Sequence, residues 1–410
     1  MNILAKHAYG KKLIGDGLQI SAEAKRQKQL NPLLIDATIG TLFDENSKFY
    51  KLPTIDRVLR NLPDNEFYTY SSSDGGKDFK DGVLKWIFQN QKEKILSNRH
   101  CEVIATPGGT GAVSAAVYNS LDPHQTILLP DLYWGPYANM ATSNELEVVN
   151  YRLLFDNHFN FEDFKTQADE IIKKQGKIVT ILNDPCNNPT GYSLTNQELE
   201  TIIDYMNDNP QAYFSLIYDI AYLDFDFSGM ENTRKKFAIL TKAKANVIVN
   251  IAVSFSKSFS IYGLRLGALI MMGQELETVK TAYDSSCFLA RTRWSNSSKP
   301  GISLLIKVTN DLEVYQAVLR DIEEAKLVLS LRADMFISQA RIHNLDLYPY
   351  YGGFFITIRY QDGKSLFEEL KRRNIYVLPF KGAVRISISA LTLNEINGLA
   401  KEIRNAINSL

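Results

Sequence analysis

Lys257 stands at the centre of a stretch whose residue types suit covalent chemistry, Ser254-Phe-Ser-Lys-Ser-Phe-Ser-Ile-Tyr-Gly-Leu-Arg-Leu-Gly267. The apolar, β-branched run Val247 to Val253 before it predicts a buried strand. Lys257 therefore falls just past a strand end, where the chain turns into a cleft. An amine held there loses solvation, so its charged form is disfavoured and it becomes free to condense with an aldehyde. Ser254 and Arg265 bracket it with a hydroxyl and a fixed cation, a pair suited to a phosphate monoester. An amine, a hydroxyl and an arginine so placed suit pyridoxal phosphate, whose aldehyde needs the first and whose phosphate needs the others. The same residues also read as a serine-rich loop with one surface lysine and one surface arginine, and on this stretch alone both readings stand.

The elements that must position these groups recur along the chain. Glu102 to Thr106 reads as a strand, Pro107-Gly-Gly-Thr-Gly111 as a turn, and Ala112 to Leu121 as a helix. Strand, glycine-rich turn and helix together aim backbone N–H groups, here of Gly109 and Thr110, at an anion. Gln125 to Pro130 is a further strand, followed by Trp134, which suits either the core or a stacking face for a flat ring. Lys177 to Leu182 leads into a turn-rich loop carrying Asn188 ahead of Pro-Thr-Gly, then a capping box at Thr195 and Glu198. Phe214 to Tyr218 ends in Asp219, with Tyr222 three residues on, and Ala268 to Met272 follows Arg265 as another strand. Leu34 to Gly40 is a short extended piece whose glycine either makes a turn or permits close approach of a ligand. A helix is expected over Ser21–Gln29 and another over Lys77–Gln91. Strands alternating with helices from about 77 to 272 predict an α/β fold, a mostly parallel sheet flanked by helices. Its right-handed crossovers gather the strand-end loops, with Gly109, Trp134, Asn188, Asp219 and Lys257, along one edge.

Composition narrows the class. The 410 residues hold 46 basic and 46 acidic side chains, which argues against a nucleic-acid binder relying on a basic surface. No apolar run approaches the ~20 residues of a membrane span, and Met1 to Leu13 lacks the continuous apolar core of a secretory signal. Cys101, Cys186 and Cys287 show neither metal-ligand spacing nor a disulfide framework, and the five histidines form no metal-binding pair. The expectation is a soluble, cytoplasmic protein without a metal.

Taken together, Ser-x-x-Lys…Arg-x-Gly, Asn-Pro-Thr-Gly, Asp-x-Ala-Tyr and Gly-Thr-Gly-Ala resemble the fold-type I, class I pyridoxal-phosphate aminotransferases, most closely the aspartate/aromatic branch. The likeness runs from about Leu34 to the C-terminus. It implies that Lys257 binds the cofactor and moves the proton, that Asp219 pairs with the pyridine nitrogen, and that Asn188 and Tyr222 bind the ring oxygen. Gly109, Thr110, Ser254 and Arg265 would hold the phosphate and Trp134 would stack on the ring. Tyr70 matches a tyrosine that reaches the phosphate of a neighbouring subunit, which implies a homodimer with shared sites. Arg385 matches the arginine that clamps the substrate α-carboxylate, with Trp134 and Asn188 also facing substrate. Arg291 resembles the arginine that reads a distal carboxylate from the other subunit, and Arg293 stands close enough for a shifted match. Gly40 matches a glycine of the mobile N-terminal segment. Two positions depart from the pattern: Tyr137 stands where the aspartate branch carries a histidine behind the pyridine-binding aspartate, and Gly108 where a serine often adds a phosphate hydroxyl.

The resemblance implies a large cofactor-binding domain over residues 51–310. An N-terminal arm over 1–50 contributes to a smaller α/β domain over 311–410. The smaller domain is expected to hold a long helix (Leu312–Ala340), strands at Phe354–Ile358, Ile375–Leu378 and Val384–Ile388, and helices at Ser365–Arg373 and Leu393–Leu410. The function it implies is transfer of an amino group between aspartate, glutamate or an aromatic amino acid and a 2-oxo acid such as 2-oxoglutarate. A β-lyase or decarboxylase on the same fold forms the alternative, since the shared machinery does not separate them. A regulator with an aminotransferase-like domain would need a DNA-binding module, for which the residues before Leu34 are too few.

Overall fold

The structure is a computed structural model that describes residues 3–5, 7–13 and 17–410. Residues 1, 2 and 6 of the segment read for a secretory signal therefore lie outside the described residues. In chain order the strands of the central sheet are His100–Pro107 (β1), Thr126–Pro130 (β2), Glu147–Tyr151 (β3), Lys177–Asn183 (β4), Tyr213–Asp219 (β5), Val247–Ser254 (β6) and Leu266–Gly273 (β7). They lie side by side as β1-β7-β6-β5-β4-β2-β3. From β6 to β3 every neighbouring pair is parallel. β7 runs antiparallel to both β1 and β6, because only residues 255–265 join it to β6 and leave no length for a crossover helix.

Alternation along these strands sends side chains to two separate cores. Ile104, Leu129, Ile181, Ile217 and Leu269 face one side, beneath the helices Gly108–Ser120 (α1) and Leu276–Arg293 (α2). Val103, Leu128, Leu182, Leu216, Ile251 and Ile270 face the other, with Trp86, Phe88 and Phe237. Burying side chains of this size contributes about 1.5–3 kcal/mol each relative to exposure. No helix among the described residues is long and apolar enough to cross a membrane.

The long helix Leu312–Ile342 (α3) ties this body to a second core. Val318, Ile322, Ala325 and Leu329 pack in the first core, while Ala333, Phe336 and Ala340 pack in the second with Ile20, Ala24, Leu34 and Ala37. That second core holds a three-stranded antiparallel sheet of Phe355–Arg359 (β8), Leu378–Phe380 (β9) and Ala383–Ser387 (β10), in the order β8-β10-β9. Arg332 on α3 is fully buried. Its guanidinium donates to Glu45 Oε1 at 2.7 Å, Phe43 O at 2.9 Å and Ser389 O at 3.1 Å, fixing the chain after Gly40 to the second core.

Several elements differ from the sequence expectation. The helix expected from Ala112 begins at Gly108, so the glycine turn is the first turn of α1. The strand expected at Ile375–Leu378 is split: Ile375–Tyr376 pairs parallel with Ile35–Asp36, and β9 pairs with β10. The final helix is broken at Gly398, whose φ of +84° separates Leu393–Ile396 from Leu399–Asn408.

Candidate active site

Register sets the site. Asn183 pairs with Asp219, Asp219 with Ala252 and Ser254 with Gly267, so three strand ends and the start of β7 share one edge of the sheet. Asp219 is the last residue of β5 and is buried. Its Oδ2 accepts from the Tyr137 hydroxyl at 2.5 Å and its Oδ1 from the Ala221 N–H at 3.1 Å. Burial raises its pKa to about 6, against the lowering effect of Tyr137, the Ala221 N–H and the charge of Lys257.

Lys257 lies on the single helical turn Phe255–Ser258 after β6 and is half-buried. Its Nζ sits 6.0 Å from the centre of the Tyr222 ring and 5.3 Å from that of Tyr262. Desolvation lowers its pKa to about 8; the Arg265 charge adds to the lowering and Asp219 opposes it. Tyr262 in turn accepts the Leu42 N–H at 3.0 Å, joining the Lys257 loop to the chain after Gly40.

On the far side, Arg385 from β10 donates to Asn188 Oδ1 at 2.9 Å and to Thr38 O at 2.6 Å. The Asn188 N–H is held by Asn183 Oδ1 at 2.7 Å, and Tyr222 hydrogen-bonds the Asn188 side chain. The Arg385 guanidinium lies 3.9 Å from the centre of the Phe355 ring, and its Nε is buried without a partner. Desolvation brings its pKa down to about 10, opposed by Tyr222. A buried arginine with a free N–H edge is suited to a carboxylate that arrives from solution. Gly40 packs so closely against this ring that a Cβ there would lie 2.7 Å from Phe355 Cζ. Close packing, rather than turn chemistry alone, accounts for that glycine.

The anion side of the edge is built by α1 and the Arg265 loop. Arg265 itself adopts left-handed backbone (φ +52°) and its guanidinium donates to Ser256 Oγ at 3.2 Å. Gly108 has φ +72°, and a Cβ on it would lie 2.5 Å from Arg265 Nη2. Left-handed backbone thus explains why a glycine, and not a serine, suits position 108 here. A Cβ on Gly109 would meet Ser254 Cβ at 2.9 Å, and one on Gly267 would meet the Gly108 carbonyl carbon at 2.3 Å. The first N–H groups of α1, around Gly109 and Thr110, the Ser254 hydroxyl and Arg265 therefore surround one small space.

Trp134 is half-buried and meets Tyr137 edge-on, ring centres 5.5 Å apart at 89°. Tyr70 and Arg291 stand apart. Tyr70 is 91% exposed, and Arg291, exposed at the end of α2, donates to Ser295 Oγ at 2.9 Å. Arg293 lies over the Tyr118 ring at 5.3 Å. The segments carrying Tyr70 and Arg291 are nonetheless joined to each other: Asn296 Nδ2 donates to Ser71 O at 2.6 Å, and Ser71 Oγ to Ser297 O at 2.9 Å. Tyr137 stands where the sequence already departs from the family pattern, while Ser256, Tyr262, Thr38 and Phe355 enter the site or its wall without having been singled out. Ser256, Tyr262 and Thr38 each lie within three residues of a marked residue; Phe355 does not. A cavity of about 450 Å³ at the opposite strand ends, lined by Lys177, Tyr213 and Asn250 among others, contains none of these residues.

A family description, aminotransferase class I and II, matches residues 41–403. An aspartate aminotransferase of Pseudomonas aeruginosa is 27% identical over 290 residues, 69% of this chain and 70% of that protein. The crystal structure of an aminotransferase from Anaerococcus prevotii superposes with a TM-score of 0.94 at 28% identity, over 100% of this chain and 99% of that one. An aromatic-amino-acid aminotransferase of Burkholderia pseudomallei, covalently bound to pyridoxal phosphate, shares the fold, with a TM-score of 0.78 and 20% identity over 98% and 100% of the two chains. With nearly its whole length matched, this chain belongs to the class I and II aminotransferases, enzymes that transfer an amino group between an amino acid and a 2-oxo acid.

Proposed function

We propose that the chain performs this transamination with pyridoxal phosphate, on aspartate, glutamate or an aromatic amino acid as donor and a 2-oxo acid such as 2-oxoglutarate as acceptor. The observation that carries the reading is the convergence of Lys257, Asp219, Asn188, Tyr222 and Arg385 beside the N-terminal turn of α1 and Arg265. The residues present fit the cofactor. The Gly108–Gly109 turn leaves no room for a side chain beside Arg265 and Ser254, which suits a phosphate held by main-chain N–H groups. Asp219, buried yet with its pKa raised only to about 6, carries its charge at neutral pH and suits a protonated pyridine nitrogen.

When bound, the cofactor supplies an aldehyde for the amino group and a ring that draws electrons from the substrate Cα. Lys257, with its pKa lowered to about 8, would offer that aldehyde a larger share of neutral amine than a solvated lysine, and would hold the Cα proton as a base. Asp219 would hold the proton on the ring nitrogen. Asn188 and Tyr222 would donate to the ring oxygen, and Trp134 would close one face of the ring. Gly109 and Thr110 main-chain groups, Ser254 and Arg265 would bind the phosphate. Arg385 takes the substrate α-carboxylate on its unpartnered Nε edge, kept in place by Asn188, Thr38 and Phe355. Gly40 lets the N-terminal segment pass over it.

Tyr70 and Arg291 complete the site of a second copy in a homodimer. Their exposure, and the hydrogen bonds joining residues 71 and 296–297, support one shared face. A cytoplasmic location is consistent with three free cysteines. The names of the relatives support aspartate and aromatic donors. A donor screen with 2-oxoglutarate as acceptor tests the reading: glutamate formation from aspartate or an aromatic amino acid is expected. Product formed at equal rate without any 2-oxo acid would instead indicate a lyase or decarboxylase.

A further inference from the structure

We infer that Tyr137 is a positioning residue of the reaction: its phenol fixes the buried Asp219 carboxylate in one orientation and in its charged form. The inference rests on the cofactor reading above, and concerns what stands behind Asp219 rather than what lies in front of it. Tyr137 sits on the helix Pro136–Ser143, is 1% exposed, and places its hydroxyl 2.5 Å from Asp219 Oδ2. The other oxygen, Oδ1, takes the Ala221 N–H at 3.1 Å. Each oxygen thus has one fixed donor, and a carboxylate has capacity for further ones. Rotation of the carboxylate would break both bonds at once. The phenol is itself clamped, edge-on by Trp134 at 5.5 Å and stacked by Tyr133 at 6.4 Å.

The titratable groups facing Asp219 are Tyr137 from this helix, Lys257 from the loop after β6, and Tyr222 from the loop after its own strand. No imidazole faces it among the described residues. Burial drives the carboxyl toward its neutral form, and the Tyr137 hydrogen bond is the first effect acting against it. A carboxyl that took up a proton could not balance a charged ring nitrogen. A phenol performs this task differently from an imidazole. It has a single proton to donate, and burial beside Asp219 pushes its own pKa well above the ordinary value of 10. It therefore donates unchanged across the pH range in which an imidazole, ordinarily near 6.5, would change charge. The acid limb of activity should then report the Asp219–cofactor pair alone, with no second inflection from the group behind it.

The test uses the holoenzyme and the isosteric variant Tyr137→Phe, which deletes the donor and keeps the ring. The readouts are the pH titration of the bound cofactor's visible absorbance, kcat and KM for the donor, and thermal unfolding. Losing a hydrogen bond to a charged group is expected to lower kcat by about tenfold or more. KM should be nearly unchanged, since Tyr137 does not touch substrate, and the acid inflection of the absorbance should move to higher pH. Tyr137→His is expected to recover part of kcat and to add an inflection near pH 6–7. Tyr137→Phe with wild-type kcat and an unmoved absorbance titration overturns the inference, and so does Tyr137→His without the added inflection if the Phe variant does not fold. A wild-type protein whose absorbance fails to respond to pyridoxal phosphate would defeat the cofactor reading itself, a result separable from an unchanged Tyr137→Phe beside a responsive wild type.

Discussion

Buried Asp219 and half-buried Lys257 sense one another's charge, and both shift toward neutrality, the carboxyl up to about 6 and the amine down to about 8. The two shifts bear on stability with opposite slopes. Asp219 is raised above its ordinary 3.8, so the cofactor-free native state binds that proton more tightly than the unfolded chain. Its stabilising effect is lost as pH rises from about 4 to 6. Lys257 is lowered from 10.5, so the cost of burying its charge is relieved as pH rises from about 8 to 10.5. The expected result is a cofactor-free protein whose melting temperature climbs from pH 7.5 to 9.5, with the climb reduced in Lys257→Met. Calorimetry at a series of pH values checks it, and an identical slope in the variant would contradict the Lys257 assignment. Asp219→Asn removes the charge proposed to face the ring nitrogen while keeping shape. It should still take up cofactor but transaminate roughly 3–5 kcal/mol more slowly, read in single-turnover rates. Either residue alone reads as an ordinary strand-end charge; they were legible because Gly109, Trp134, Asn188, Asp219 and Lys257 all fall just past strand ends and so meet at one edge of the sheet. Thr38 and Phe355 were not, because each meets Arg385, a residue distant in sequence that only the fold brings near.

At the scale of elements, alternating strands and helices, read from apolar runs, announced a parallel sheet, and the sheet is parallel from β6 through β3. The antiparallel β7 was hidden in connection length rather than in side-chain pattern. An edge strand, Glu147–Tyr151, went unread because its residues alternate only weakly between exposed and buried. β7 is also where the fold constrains the anion site most tightly. Gly267 pairs with Ser254 on one side and Thr106 on the other, and its missing Cβ is the space filled by the Gly108 backbone. Gly267→Ala must push that backbone away, since main chain cannot swing aside as a side-chain tip can. Overpacking of this kind costs about 1–3 kcal/mol in stability. The displaced α1 start should weaken cofactor binding by about tenfold or more. Denaturant unfolding and fluorescence titration with pyridoxal phosphate measure the two effects. Wild-type affinity in Gly267→Ala would show that the start of α1 does not hold the phosphate.

For the whole molecule, one chain gathers the residues proposed to hold the cofactor and the α-carboxylate but leaves Tyr70 and Arg291 exposed. Their segments are bonded together, so a second copy would receive both from one surface. A mixed dimer with Arg291→Ala on one chain and Lys257→Ala on the other separates the possibilities. If Arg291 acts across the interface, the site that keeps Lys257 draws its arginine from the other chain and stays active on aspartate. If Arg291 acts within its own chain, aspartate activity collapses. In the plain Arg291→Ala homodimer, the barrier for aspartate should rise by about 3 kcal/mol and that for phenylalanine by much less. Equal losses would reject the distal-carboxylate role. The two cores share α3, and Arg332 fixes residues 43–45 to the second of them, so the N-terminal segment and Arg385 are held by the same body.

Lys257 is the proposed point of covalent attachment for the cofactor. Borohydride reduction of the holoenzyme followed by peptide mapping tests it most directly. The pyridoxyl group is expected on Lys257, in the peptide that spans Ser254 to Arg265, and to be absent from Lys257→Ala. A label on any other lysine, with Lys257 unmodified, would contradict the account.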